Sequence, residues 1–220
     1  MVSLKDVGIT HDSPAEVVLT TFYPNGNPHA AIVGVTAKGE KLLLLRIFLD
    51  TKTYQNVVAA KSGVINITNN AELIAKIALP DISGLDEKTL DYKNSEYVNA
   101  PKLTGADAHV EIVTSNIQEA QWSDDIGASK VAHIITYVKN IELSKPSTHP
   151  FKRTDSFLIE SAVLASKALE ALKNDRTEVA KKLLKKIDQY KSECKRIAPE
   201  SKYFYFISKI TSYLKNRLGE

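Results

Sequence analysis

Glu16–Tyr23 reads EVVLTTFY, Pro24–Pro28 reads PNGNP and His29–Val35 reads HAAIVGV; this stretch decides the fold class. The first and third runs are rich in residues that fit a pleated, half-buried surface. Between them, Asn25-Gly26 supplies the backbone freedom of a tight reversal, and the flanking prolines stand where no ladder donor is needed. The whole reads as a β-hairpin. A second reversal at Lys38-Gly39-Glu40 leads into Lys41–Leu49 (KLLLLRIFL), which is too apolar for a strand with one face in water. Such a run fits a strand covered on both faces, as in a barrel whose outer wall also meets a second copy. Three strands in succession make an antiparallel meander.

Outward from there the pattern alternates. Asp50-Thr51-Lys52-Thr53 is a polar stop, and Thr51 or Thr53 can cap a short helix over Tyr54–Lys61, closed by Ser62-Gly63. Val64–Thr68 (VINIT) resumes as strand. Asn69 or Asn70 caps a second short helix, Ala71–Leu79, which Pro80 stops. Residues 81–104 carry no regular pattern, with Tyr92 and Tyr97 as anchors. Ala108–Trp122 and Lys130–Leu143 read as long strands whose length implies strong curvature around a barrel. Ser144–Asp155, with two prolines and no apolar period, reads as a linker.

Three helices follow. Thr154, Asp155 or Ser156 caps the first, with Leu158, Ala162, Ala165, Leu169 and Leu172 on one face. Val179, Leu183, Ile187, Tyr190 and Cys194 mark the second. Pro199-Glu200 opens the third, with Tyr203, Phe206, Ile207, Ile210 and Tyr213 inward. The expected architecture is α+β: a six-stranded antiparallel split β-barrel over residues 1–143, a linker over 144–155 and a three-helix unit over 156–220.

Composition narrows the function. The chain has 220 residues, 29 Lys+Arg against 26 Asp+Glu, and one cysteine, Cys194. A lone thiol excludes disulfide frameworks and multi-cysteine metal sites, and the absence of a leader pattern or apolar run of spanning length points to a cytoplasmic protein without membrane segments. The small net charge hides an asymmetry: residues 1–150 carry 13 basic and 17 acidic residues, whereas residues 151–220 carry 16 and 9. The basic run Lys181, Lys182, Lys185, Lys186 reads as a solvated helix face or a dock for an acidic partner. It lacks the interleaved aromatics and motifs of a nucleic-acid binder. The five histidines are scattered without ligand spacing, no metal site is expected, and no nucleophile motif is present.

One constellation carries chemistry. After an apolar strand bearing Arg46, the chain presents Thr51, Lys52 and Thr53 at a helix start, with Asn56 one turn on. Free backbone N–H groups, a favourable dipole, two hydroxyls and one ammonium suit a phosphate-sized anion.

The order of hairpin, HAAIVGV, KLLLLRIF, DTKTYQNV and GVINIT resembles the flavin-mononucleotide-binding split-barrel superfamily of flavin reductase-like and pyridoxamine-phosphate oxidase-like proteins. TTFYPNGNPHAAIVGV, TKTYQNV and VINIT together are most similar to an archaeal group, the domain-of-unknown-function family 447, whose members carry a helical extension. The resemblance implies FMN held at the interface of a homodimer. Its phosphate would lie at Thr51, Lys52, Thr53 and Asn56, with Arg46 as a second cation. Its ring would lie along Ala31, Ile32, Val33, Gly34, Val35 and Thr36, small residues here letting a planar ring approach the backbone. It implies an oxidoreductase-type flavoprotein served by a nicotinamide donor or redox partner. A non-enzymatic module for flavin, deazaflavin or haem, with the helical unit as partner dock, is the alternative. No catalytic residue is assigned; His149, Phe151, Lys152 and Arg153 are candidates for substrate contacts across the dimer groove.

Overall fold

Alternate residues of each strand decide the architecture. In a computed structural model, which describes residues 2–78, 80–124, 127–146 and 148–219, the strands β1 (Ala15–Phe22), β2 (Pro28–Ala37), β3 (Leu42–Phe48), β4 (Ser62–Ile67), β7 (Ala108–Asp124) and β8 (Gly127–Leu143) close into a barrel. The order is β1-β2-β3-β8-β7-β4, and every pairing is antiparallel. The six-stranded antiparallel barrel expected from the sequence is present, and helices follow it.

Val17 and Leu19 of β1, Val33 and Val35 of β2, Leu43, Leu45 and Ile47 of β3, and Ile65 and Ile67 of β4 fill the interior with their partners from β7 and β8. Val7 and Ile9, ahead of β1, are fully buried in the same core, so the N-terminal residues plug the barrel. The β1–β2 turn is the expected one: Gly26 has φ +82°, the Gly26 amide donates to the Tyr23 carbonyl and the Tyr23 amide to the Asn27 carbonyl. Gly63 serves a different need. A Cβ there would lie 3.0 Å from Leu19 Cδ1 and 3.2 Å from the Thr20 carbonyl oxygen, so any side chain would make β1 give by a few tenths of an ångström where β4 closes against it.

Three local expectations change. Helix α1 spans Lys52–Ala60, and Lys61, in the left-handed region, ends it, while Ser62 and Gly63 already belong to β4. Pro80 does not only stop α2 (Ala71–Ala78); its fixed φ opens the short α3 (Pro80–Ser83). Leu79, the expected last residue of α2, lies outside the described residues. The segment without a sequence pattern forms a 3-10 turn (Glu87–Thr89) and a small ladder of β5 (Tyr92–Asn94) with β6 (Pro101–Leu103). It is held by a second apolar cluster in which Val18, Ala30, Ile77 and Leu103 meet Ile32, Leu73, Leu85, Leu90 and Tyr92 on the outside of β1 and β2.

Chain contacts divide the molecule into two units, Met1–His11 with Ala15–Phe151, and Asp12–Pro14 with Lys152–Glu220. Within the first unit, Phe151 continues the barrel by an isolated bridge to Glu16. The second unit packs α4 (Arg153–Lys173), α5 (Thr177–Ile197) and α6 (Lys202–Leu218). Lys152 precedes α4 without a side-chain cap, and Thr154, an expected cap, is buried against Ser13 instead, with hydroxyl oxygens 2.9 Å apart. Ser201 caps α6, accepting from the Phe204 amide. No helix among the described residues is long and apolar enough to cross a membrane.

Candidate functional site

The first turn of α1 is organised by Thr51. Its Oγ1 accepts from the Tyr54 amide at 3.2 Å and donates to the Phe48 carbonyl at 2.7 Å, while the Gln55 amide donates to the Thr51 carbonyl. The two amides between, those of Lys52 and Thr53, lie at the positive end of the helix, where no intrahelical acceptor exists. Lys52 is exposed. Thr53 and Asn56 turn inward, 5% and 2% exposed. Asn56 Nδ2 donates to Thr21 Oγ1 at 3.2 Å, and Thr53 Oγ1 lies 2.9 Å from His29 Nε2.

That last contact joins α1 to the start of β2 and to a buried polar chain. His29 Nδ1 is 2.8 Å from Glu87 Oε2, which also accepts from the Ala30 amide at 3.1 Å. Tyr23 donates to Glu87 Oε1 at 2.8 Å, its oxygen 3.1 Å from His29 Nδ1 and its ring 5.0 Å from the imidazole. Burial first, then the hydrogen bond and charge of Glu87, push the Tyr23 phenol up to about 12. The same order of causes, burial ahead of the Glu87 charge, raises Tyr92, whose hydroxyl donates to the Glu87 carbonyl.

Beside this chain the barrel is open along one edge. β2 pairs with β1 from Pro28 to Val35, but its ladder with β3 begins only at Gly34↔Arg46. Pro28–Val33 therefore has no partner strand on that side. The Ala30 amide on this edge is taken by Glu87, and strand alternation aims the Ile32 amide the same way. Of the expected ring residues, Val33 and Val35 place their side chains in the barrel core and Ala31 shares their inward face, and the same alternation turns the N–H groups of these three toward β1. Ile32 leans on the outer cluster, and Gly34 and Thr36 continue along the outer face beside Arg46 and Leu44.

Arg46 lies on the rung Gly34–Arg46–His133, not at the first turn of α1. Burial, then the charges of Arg46 and Lys38, lower the His133 pKa, so this histidine stands neutral beside the guanidinium. Around the rung, three apolar outward residues of β3 and β8 are exposed: Leu42, Phe48 and Tyr137, at 37%, 45% and 40%. The inner face of β3 is covered as expected, and the outer cover expected from a second copy is not tested by a single chain. Phe151 meets Glu16, roughly 17 Å along β1 from the Thr21↔His29 rung, so within one chain Phe151 does not converge on Thr53. Among the described residues no cluster of His, Cys, Asp or Glu forms a metal-binding group.

Sequence reasoning missed His29, Glu87 and Tyr23. Tyr23 and His29 flank the PNGNP turn at spacing that brings them to one end of the hairpin, a signal within reach of the sequence. Glu87 had none, because it comes from a segment whose path is set by contacts far along the chain.

The family model described as the N-terminal domain of a protein of unknown function, DUF447, matches residues 15–136, more than half of the chain. The chain belongs to the DUF447 family. Among solved structures, an FMN-bound DUF447 protein from Methanosarcina mazei is 21% identical, with 96% of this chain and 99% of that one covered at a TM-score of 0.50. An NADH:FAD oxidoreductase from Streptomyces globisporus is 20% identical over 60% of this chain and 77% of its own, TM-score 0.47. A flavin reductase, so named as putative, from Haemophilus somnus is 17% identical over 60% and 81%, TM-score 0.46. No curated protein matches the chain. The DUF447 barrel thus extends over β1 to β8, and the α1 turn and open β2 edge both fall inside the matched residues.

Proposed function

We propose that this DUF447 protein binds FMN, with the phosphate at the first turn of α1 and the ring along the open edge and outer face of β2. The observation that carries the reading is the His29–Thr53 hydrogen bond, which sets an anion-accepting helix start directly against a stretch of β2 that has no partner on its β3 side. The donors fit the group. The Lys52 and Thr53 amides, the Thr53 hydroxyl and the mobile Lys52 ammonium suit a phosphate. The Ile32 amide and the small Gly34 suit the polar edge and flat face of a ring. The Methanosarcina mazei relative, bound to FMN in its own structure, supports the same choice of ligand.

When bound, a flavin supplies hydride and electron transfer; the chain supplies binding, orientation and exclusion of water. The uncovered apolar residues of β3 and β8 support a homodimer whose second copy closes the outer face over the ring, with electrons arriving from a nicotinamide donor or a redox partner. A flavin-binding module without catalysis is the second reading. It is favoured by the outward side chains of β2, Ile32, Gly34 and Thr36, none of which can take up or release a proton.

The decisive measurement is FMN titration of the purified protein, followed by stopped-flow reduction with NADH and NADPH. Saturable FMN uptake is expected, with Lys52→Ala weakening it about tenfold, the loss of one charge-assisted contact at an exposed site. Lack of any flavin uptake overturns the cofactor reading. Bound flavin that neither donor nor a reduced partner can reduce favours the module.

A further inference from the structure

The hydrogen-bond roles around His29 are not all free. Glu87 accepts from the Tyr23 hydroxyl, from the Ala30 amide and from His29 Nδ1. A carboxylate only accepts, so Nδ1 must carry a proton. The remaining choice lies between Nε2 and Thr53 Oγ1, 2.9 Å apart. With Nε2 bare, the Thr53 hydroxyl donates to it and turns its lone pairs toward the helix start. With Nε2 protonated, the imidazolium donates to Thr53, and the hydroxyl proton is released to another acceptor. Thr53 is 5% exposed, so little bulk water competes with an anion at the helix start for that proton.

We propose that His29 is a positioning residue that couples anion binding to proton uptake: a phosphate-bearing ligand at the first turn of α1 is bound with a proton gained at His29 Nε2, and the Thr53 hydroxyl reverses from donating to His29 to donating to the phosphate. The inference rests on the phosphate seat proposed above. The balance is one proton from solvent to Nε2, with no covalent change elsewhere. Without an anion the neutral ring satisfies every group in the chain; with one, the imidazolium does, flanked by Glu87 on one side and the phosphate on the other. Linkage then fixes the sign: the ligand favours the protonated ring, so its affinity is highest at low pH and falls as pH rises.

The other titratable groups at this point are few. Tyr23 contacts the ring and stays a neutral donor, Tyr92 stands behind Glu87, and Lys52 and Lys88 are exposed neighbours in sequence of Thr53 and Glu87. Among these groups His29 is the one imidazole, and either ring nitrogen can carry a proton.

FMN and riboflavin, the same ring with and without phosphate, test this on the full-length protein by flavin fluorescence between about pH 5 and 8. The affinity ratio of wild type to Thr53→Val at each pH cancels the ionisation of the phosphate itself, near pH 6. For FMN that ratio is expected to fall roughly tenfold across the range, within the usual span of coupled sites. For riboflavin it is expected to stay flat. Calorimetry in buffers of different ionisation heat should show proton uptake with FMN only. Glu87→Gln should weaken FMN binding in the wild-type background and lose that effect beside Thr53→Val, with riboflavin affinity as the check on folding. A flat FMN ratio, no proton uptake, or an undiminished Glu87→Gln effect in the double variant overturns the coupling while leaving the seat intact. Equal affinity for FMN and riboflavin overturns the seat, and no flavin uptake overturns the cofactor reading; the coupling falls with either.

Discussion

Single residues tie distant segments to the barrel, and Asn66 shows how. It is fully buried on β4, its Nδ2 donating to the Val18 and Val64 carbonyls and Thr20 Oγ1, its Oδ1 accepting from the Leu103 amide at 2.7 Å. Thr20 in turn donates to the Pro101 carbonyl. One amide side chain thus fastens β6, and the segment that delivers Glu87, to β1 and β4. Asn66→Ala leaves the Leu103 amide and two buried carbonyls short of partners, and buried polar groups left unpaired cost about 1–3 kcal/mol each before relaxation. A loss of roughly 3 kcal/mol in urea unfolding of the barrel is expected. A loss below about 1 kcal/mol would mean that water or a shifted loop replaces the bonds. In the sequence this residue was only the polar centre of VINIT. Its value depends on Leu103, nearly forty residues away, which no local pattern carries.

At the scale of elements, strands were more legible than helix faces, for a physical reason. A strand shows its inner face at every second residue, so β1, β2 and β3 form the antiparallel meander expected of them. The helices pack through small residues. Ala168 and Ala171 of α4, Ala180 of α5 and Ser161 are the buried contacts, whereas Ala162 is exposed and Leu158, Leu169 and Leu172 only flank the core. Weighting large side chains therefore turned the expected faces about the helix axis. Val179, Phe206 and Tyr213, expected inward, are 45%, 53% and 56% exposed; Ile187, Cys194 and Ile207 are buried as expected, joined by Leu184, Thr211 and Leu214. Tyr203 remains partly buried on α6, where burial first, then Asp155 and Asp12, push its phenol up to about 12. Its folded value lies above its unfolded value of 10. The stability it contributes is therefore present below pH 10 and lost as pH rises from there through about 12. Helical circular dichroism of the full chain should show an alkaline loss in that window, and Tyr203→Phe should flatten it relative to wild type. An identical alkaline profile for the two proteins would place the sensitivity elsewhere.

For the whole molecule, one surface asks for a partner. The barrel interior is closed, and the outside of β1 and β2 is covered by α2 and the 3-10 segment, but three apolar residues on the outside of β3 and β8 stay exposed. Its exposed residues, Leu42, Phe48 and Tyr137, surround the Arg46–His133 rung and adjoin Gly34 and Thr36, which the proposed flavin would use. An apolar wall contiguous with an open ligand edge is what a two-fold interface supplies to both copies at once, each patch meeting its own equivalent. Phe48→Glu separates this from a wall that simply faces water. On a monomer the substitution is an exposed change, worth no more than about 0.5 kcal/mol in stability. On the proposed dimer it sets unpaired carboxylates into a dry contact. Light scattering is expected to give twice the chain mass for the wild type and the single chain mass for Phe48→Glu, with FMN affinity falling together with the dimer because the ring loses its cover. A wild-type monomer, or a Phe48→Glu dimer of unchanged FMN affinity, would leave β3 without a partner and return the ring to a site built from one chain alone.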